Sequence, residues 1–116
     1  MNKRVARLAV AGASLVAVLG SAPAFALSSS TAGSYAYTST NNGVSNDTAN
    51  VKDTSADSRS AYGQYYRYSA PGSTRTLWNK SGANTTVSST DGSGIYQIRA
   101  CRQEQWASDT CGPWAA

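Results

Sequence analysis

The side chains that most enzymes use for catalysis are scarce in this chain. It contains no histidine, so neither a Ser-His-Asp nor a Cys-His arrangement can be built. Its only cysteines are Cys101 and Cys111, and two cysteines without histidine supply too few ligands for a zinc site. Nucleophilic catalysis and zinc chemistry are therefore not expected.

Six acidic residues are the other candidates for chemistry, and each lies in a turn-like stretch where Asp commonly caps its own backbone. The alternatives are a glycosidase-type carboxyl pair and a calcium loop, although the spacing is not that of the EF-hand. We favour the structural role, so the sequence predicts no catalytic site, no metal site and no cofactor. The calcium alternative would use Asp47, Asp53 and Asp57, and the other acidic residues are Asp91, Glu104 and Asp109.

Aromatic side chains are the best functional signal. Alternation along a predicted strand over 60–68 places Tyr62, Tyr66 and Tyr68 on one face and Tyr65 and Arg67 on the other. We expect the three-tyrosine face to fill a core that is short of Leu and Ile, which leaves the other face exposed. The alternative is a tyrosine row that faces water, and such rows suit stacking on sugar rings or anchoring in a protein interface.

Trp106 is the second aromatic candidate, because it lies in the loop between the two cysteines. Loops held on a rigid scaffold are common binding sites. Trp106 is either a contact residue or a lid over the end of the domain, and both interpretations stay open. The candidate ligand-binding residues are Tyr65, Arg67, Trp78 and Trp106.

Residues 1–26 predict a cleaved secretory signal peptide. A basic N-terminal end precedes the apolar run 8–19, and Ala24-Phe25-Ala26 is the small-x-small pattern of a cleavage site. The apolar run is shorter than the roughly 20 residues that span a bilayer. Cleavage would leave seven basic residues against six acidic ones, so nucleic-acid binding loses its main support. We expect a secreted, extracellular protein that has no membrane contact after cleavage.

The exported remainder is expected to be one small domain that needs a covalent staple. Disulfides persist outside the cell, so we predict a bridge between Cys101 and Cys111. The chain-entropy model gives such a short loop roughly 2–3 kcal/mol of stabilisation. Residues 27–33 are predicted to be a flexible leader, and residues 34–116 the single domain.

Turn residues recur every eight to twelve positions from Ser34 onward, which is typical of an all-β sandwich. The chain has no segment with helical periodicity after the signal, and Ala70-Pro71-Gly72 is expected to end the third strand. The predicted fold is a small Greek-key β-sandwich of about seven short strands. These strands are 34–40, 48–53, 60–68, 74–78, 84–88, 95–102 and a last one around 111–114.

The C-terminal segment resembles a known family. Residues 95–102 (Ile-Tyr-Gln-Ile-Arg-Ala-Cys-Arg), the following loop and residues 109–114 (Asp-Thr-Cys-Gly-Pro-Trp) resemble the F strand, F–G loop and G strand of fibronectin type III domains. The resemblance implies an immunoglobulin-like or fibronectin III-like sandwich, with Tyr96 in the structural role of a tyrosine corner. It covers roughly a fifth of the chain, and the family's second-strand tryptophan is missing unless Trp78 takes over its packing. The whole chain is also similar to many small secreted proteins of actinobacteria. Neither resemblance implies an activity.

These observations predict a monomeric, non-catalytic extracellular binding module for carbohydrate or cell wall. Its contacts would come from exposed aromatic residues and from the loop 103–110. The alternative is an inhibitor of a secreted hydrolase, in which the disulfide-closed loop would enter the cleft of the enzyme.

Overall fold

Strands make up the regular structure of the computed structural model, which describes residues 25–90 and 92–116. Each of the seven predicted strands overlaps an observed one, and an eighth precedes them. The predicted signal peptide lies outside the described residues except for its last two. No helix in the two described ranges is long and apolar enough to cross a membrane. The strands are β1 (Ser28–Thr31), β2 (Ser34–Ser39), β3 (Thr48–Asp53), β4 (Ala61–Arg67), β5 (Ala70–Asn79), β6 (Thr86–Thr90), β7 (Ile95–Arg102) and β8 (Thr110–Cys111).

The strands form two antiparallel sheets of four. Sheet A has the order β1-β2-β3-β6, and sheet B has the order β5-β4-β7-β8. The chain crosses between the sheets from β3 to β4, from β5 to β6 and from β6 to β7, whereas β4–β5 and β7–β8 are hairpins within sheet B. The predicted Greek-key β-sandwich is therefore confirmed.

Residues 27–33 do not form the predicted flexible leader. Their central part is β1, which pairs with β2 along its whole length, and Gly33 turns the chain between the two strands with a φ of 79°. The buried hydroxyl of Ser29 donates to the Pro113 carbonyl at 2.6 Å and accepts the Ala100 N–H at 3.1 Å. The prediction was wrong because this serine-rich segment is held by backbone pairing and by a hydroxyl that reaches the opposite sheet.

The face of β4 that points inward is the opposite of the predicted one. Ala61, Gly63, Tyr65 and Arg67 are buried, and Tyr65 is only 3% exposed. The expectation that the three-tyrosine face fills the core was therefore wrong, and that face lies on the outside of sheet B. The core between the sheets is made of Ala36, Ala49, Val51, Ala61, Tyr65, Ile95, Ile98 and Ala100.

Close contact of the two sheets at Gly63 explains this orientation. A Cβ at this position would lie 2.7 Å from Val51 Cγ2 and 3.3 Å from Ala36 Cβ. Protein interiors are close-packed and accept only side chains that fit the space between the elements. β4 must therefore turn Gly63 inward, and alternation then turns Tyr62 and Tyr66 outward.

Arg67 closes one end of the sandwich from the inside. It is 1% exposed, and its guanidinium donates to the backbone carbonyls of Asp47, Ser89 and Ser93. The same group lies 5.3 Å from the centre of the Tyr65 ring. A planar fork of five donors suits several carbonyls that converge. Arg67 is thus a structural residue, and its prediction as an exposed ligand contact was wrong.

The chain turns from β4 to β5 earlier than predicted. Tyr68 and Ser69 form the turn, and β5 begins at Ala70, so Ala70-Pro71-Gly72 is the start of β5 and does not form the predicted end of β4. β5 is an edge strand of sheet B, where proline is tolerated because the N–H that it lacks need not pair. The longer β5 extends sheet B alongside the whole of β4.

The role of Arg67 can be tested by removing its donors. In Arg67→Met the side chain keeps much of its length, but three carbonyls lose their charged donor, so we expect the free energy of unfolding to fall by about 3 kcal/mol or more. Urea denaturation measures the change. Lys52→Met on the outer face of sheet A is the control, with an expected change below about 0.5 kcal/mol. Equal stabilities of the two variants would contradict the assignment.

Candidate functional site

Six aromatic side chains lie on the outer face of sheet B, and we call this surface the aromatic face. Tyr62 of β4 lies opposite Trp78 of β5 and opposite Cys101 of β7. Residues that lie opposite each other in a sheet point to the same side, so these three side chains share the outer face. A register shift next to Tyr66 indicates a β-bulge, and bulges change the direction of nearby side chains. The members of the aromatic face are Tyr62, Tyr66, Tyr68, Trp78, Tyr96 and Trp114.

The rings form two clusters. In the first, Tyr62 packs against Trp78 with 4.3 Å between ring centres. In the second, Tyr66 lies 5.9 Å from Tyr96 and 5.4 Å from Trp114. Tyr68 extends this second cluster, with its ring 5.1 Å from that of Tyr96. Trp78 is 38% exposed and Tyr68 is 70% exposed, whereas Tyr62 is only 7% exposed. The second cluster therefore reaches solvent through Tyr68, and the first does so through Trp78.

Hydrogen bonds hold the tyrosine rings in place. The Tyr66 hydroxyl accepts a bond from Thr74 Oγ1 at 2.8 Å, and the Tyr62 hydroxyl donates to Asp109 at 2.6 Å. Burial, together with this carboxylate, raises the pKa of Tyr62 to about 12. The Tyr96 hydroxyl donates to the Pro71 carbonyl at 2.6 Å. That bond reaches across β4 to the edge strand, so Tyr96 is anchored to the backbone in a different place from the predicted corner.

Two cations accompany the rings. Arg99 lies opposite Gln64 and donates two hydrogen bonds to its amide oxygen, from Nε at 3.0 Å and from Nη2 at 2.7 Å. Its guanidinium carbon also lies 4.7 Å from the centre of the Trp114 ring. Lys80 Nζ lies 5.2 Å from the centre of the Trp78 ring. Each cation is therefore held over a tryptophan by a cation–π contact.

The predicted disulfide is confirmed. Cys101 and Cys111 are bonded, and they face each other on β7 and β8 with 4.0 Å between their Cα atoms. The bridge therefore joins two neighbouring strands of sheet B and closes the loop 103–109. Because Cys101 is also opposite Tyr62, this loop leaves the sheet at the Trp78 end of the aromatic face.

Two carboxylates brace the loop from within. Glu104 accepts hydrogen bonds from Arg59 at 2.6 Å, from Arg102 at 2.9 Å and from the Thr110 hydroxyl. Asp109 accepts the Tyr62 hydroxyl and the backbone N–H of Glu104. The hydroxyl of Thr110 and then Arg102 lower the pKa of Glu104, and the hydroxyl of Tyr62 lowers the pKa of Asp109.

Trp106 stands out from this braced loop. It is 95% exposed, so it does not act as a lid over the end of the sandwich. Of the four ligand-binding candidates, Trp78 and Trp106 are exposed, whereas Tyr65 and Arg67 are buried and cannot contact an external ligand. Sequence reasoning missed Arg99 and Trp114, because their place on the surface follows from the orientation of sheet B.

The acidic residues considered for calcium are engaged with nearby backbone. Asp47 accepts the N–H groups of Asn41 and Asn42, and the first of these bonds is the main reason for its lowered pKa. Asp53 and Asp57 each accept the N–H two residues further along. Among the described residues, which exclude Asp91, no group of three or more acidic or cysteine side chains is placed to hold a metal ion.

An open cleft of about 420 Å³ lies beside these turns. It is lined by residues 53 and 55–60 and by part of the β5–β6 connection, including Lys80. None of the lining residues is aromatic. Two of the charged lining residues already have partners in the protein, because Asp57 accepts hydrogen bonds from Arg102 and from the Arg59 N–H, and the Arg59 side chain donates to Glu104. The aromatic face therefore offers the better platform for a ligand.

Comparison with known proteins gives no indication of what this chain binds. No model of a known protein family, no curated protein and no solved structure matches it. The resemblance of residues 95–114 to fibronectin type III domains stays a prediction from sequence.

The braced loop predicts a dependence of stability on pH. Glu104 and Asp109 have folded-state pKa values below their ordinary values of 4.5 and 3.8. Their stabilisation is therefore complete above about pH 4.5 and is lost as the pH falls through the lower folded values. We expect urea unfolding at decreasing pH to show this loss. Glu104→Gln combined with Asp109→Asn should lower the free energy of unfolding at neutral pH. The double variant should also lose less stability than the original chain as the pH falls, and Asp47, whose pKa is lowered too, contributes to the loss that remains. An unchanged pH profile in the double variant would contradict the role of the two carboxylates.

Proposed function

We propose that the chain is a non-catalytic extracellular module that binds a polysaccharide, such as one of the cell wall, on the aromatic face. The observation that carries the proposal is the outward orientation of β4. It places two clusters of anchored aromatic rings on one open sheet surface, instead of in the core. Aromatic rings bind sugars by stacking on the apolar faces of the sugar rings, and they do so best on an open, flat surface.

The dimensions of the aromatic face suit an extended polymer. From Tyr62 to Tyr66 along β4 the chain advances four residues, which corresponds to about 13 Å at the rise of a strand, and Tyr68 in the following turn lengthens the row. A row of this length can accommodate several consecutive sugar rings. Between the two clusters lie Gln64, Arg99 and the exposed Thr76, whose polar groups can bond with sugar hydroxyls.

The rings are also held in their binding orientation before any ligand arrives. The hydroxyls of Tyr62, Tyr66 and Tyr96 are all hydrogen-bonded within the protein. A surface that is already ordered loses less conformational entropy on binding, so more of the contact energy contributes to affinity. Shallow open sites need this advantage because they enclose little of the ligand.

The proposal predicts retention of the exported chain, residues 27–116, on an insoluble polysaccharide. Pull-downs against chitin, cellulose, starch and peptidoglycan should show binding to at least one of them. Trp78→Ala and Trp114→Ala should each weaken that binding by about tenfold, or about 1.4 kcal/mol, as expected for a central aromatic contact. Tyr35→Ala is the matched control, because Tyr35 is an exposed ring on the outer face of sheet A.

Two results would contradict the proposal. One is the absence of binding to every polymer, with the disulfide intact. The other is binding that Tyr35→Ala weakens as much as Trp78→Ala does, because the contact would then lie outside the aromatic face.

Trp106 favours inhibition of a secreted hydrolase as the second candidate function. An almost fully exposed tryptophan on a loop held by a disulfide and by Glu104 matches the aromatic anchors of protein interfaces. Trp106→Ala distinguishes the two functions. Under the inhibitor hypothesis it abolishes binding to a secreted protease or amylase. Under the glycan hypothesis it leaves the retention on polysaccharide largely unchanged, whereas Trp78→Ala does not.

A further inference from the structure

We infer that the aromatic face selects acidic polysaccharides, whose repeating units carry carboxylate or phosphate groups. This inference rests on the proposed glycan-binding function and adds the class of ligand. It follows from the charges that stand among the rings.

The positive charges of the aromatic face are not neutralised by neighbouring side chains. Lys80 and Arg99 form no ion pair with a carboxylate within residues 25–90 and 92–116. The two hydrogen bonds of Arg99 go to the neutral oxygen of Gln64, and Lys80 lies over the Trp78 ring. Both cations therefore keep their charge available for an anion.

The nearby carboxylates are used elsewhere. Glu104 and Asp57 pair with Arg102, and Glu104 also pairs with Arg59. Asp109 lies at the edge of the aromatic face, where it accepts the Tyr62 hydroxyl and a backbone N–H. Asp109 keeps its negative charge, because both of its partners are neutral, but Lys80 and Arg99 carry two positive charges, so the net charge at the aromatic face is positive.

The position of each cation fits a sugar that stacks beside it. Lys80 is next to the Trp78–Tyr62 cluster, and Arg99 lies between that cluster and the Tyr66–Trp114 cluster. Arg99 is opposite Gln64, two residues along β4 from Tyr62, a step of about 7 Å. A sugar ring on either cluster would bring its acidic group within reach of a cation. A guanidinium also matches the planar geometry of carboxylate and phosphate oxygens.

The carboxylate and phosphate sources can be separated with matched polymers. The first pair is polygalacturonate and its fully methyl-esterified form, which differ in charge on the same sugar backbone. The second pair is bacterial peptidoglycan with and without its phosphate-bearing wall polymer. We expect the exported chain to bind the acidic member of at least one pair about tenfold more tightly. Added sodium chloride should reduce this preference, because salt screens exposed charges.

Matched variants locate the preference. Arg99→Gln and Lys80→Gln should each reduce the preference for the acidic polymer severalfold, while weaker binding to the neutral member persists through the rings. Lys52→Gln is the control, because it makes the same change of charge on the outer face of sheet A. A preference within the first pair identifies carboxylate as the ligand group, and a preference within the second identifies phosphate.

Three results would overturn the inference. Equal binding to the two members within both pairs would do so while leaving the glycan-binding function intact. An equal loss in Lys52→Gln would show that overall charge, not the aromatic face, sets the preference. Failure to bind any of the four polymers, together with chitin, cellulose and starch, would overturn both the inference and the proposed function.

Discussion

The buried guanidinium of Arg67 is the interaction on which the rest of the structure depends. Burial of a charged group is costly unless the group is hydrogen-bonded, and the two terminal nitrogens of Arg67 donate to three backbone carbonyls at one end of the sandwich. The position of Arg67 fixes which face of β4 is inside. Close contact of the sheets at Gly63 requires the same orientation. Because side chains alternate along a strand, these two inner residues turn Tyr62 and Tyr66 outward.

Much of the fold could be predicted from sequence because its signals are local. Turn residues and alternation located the strands, and two cysteines, together with a predicted export signal, indicated the disulfide. The orientation of β4 depends instead on contacts between distant segments. An arginine is rarely buried, so the sequence alone favours an exposed Arg67. Its burial depends on the carbonyls of Asp47, Ser89 and Ser93, which surround it only in the folded chain. The same reason hid β1, which is held by backbone pairing with β2 and by Ser29 bonded to sheet B.

Sheet B carries both candidate binding features, and each is held by its own set of contacts. Stacked rings and the bonds of their hydroxyls order the aromatic face. The disulfide and the carboxylates of Glu104 and Asp109 order the loop that carries Trp106. The Tyr62–Asp109 hydrogen bond joins the two sets. Separate contacts of this kind allow a glycan function and a protein-binding function to be tested by single substitutions that leave the other feature in place.

Chemical modification of tyrosines in the folded chain of residues 27–116, with each site quantified by peptide mass spectrometry, tests the orientation of β4. Tyr65 and Tyr68 are three residues apart, yet the first is 3% exposed and the second 70% exposed. We expect Tyr68 to react first, Tyr66 and Tyr96 to follow, and Tyr65 to react only when the chain is unfolded. Rapid modification of Tyr65 with protection of Tyr66 and Tyr68 would contradict the account, because the aromatic face would then lie in the core.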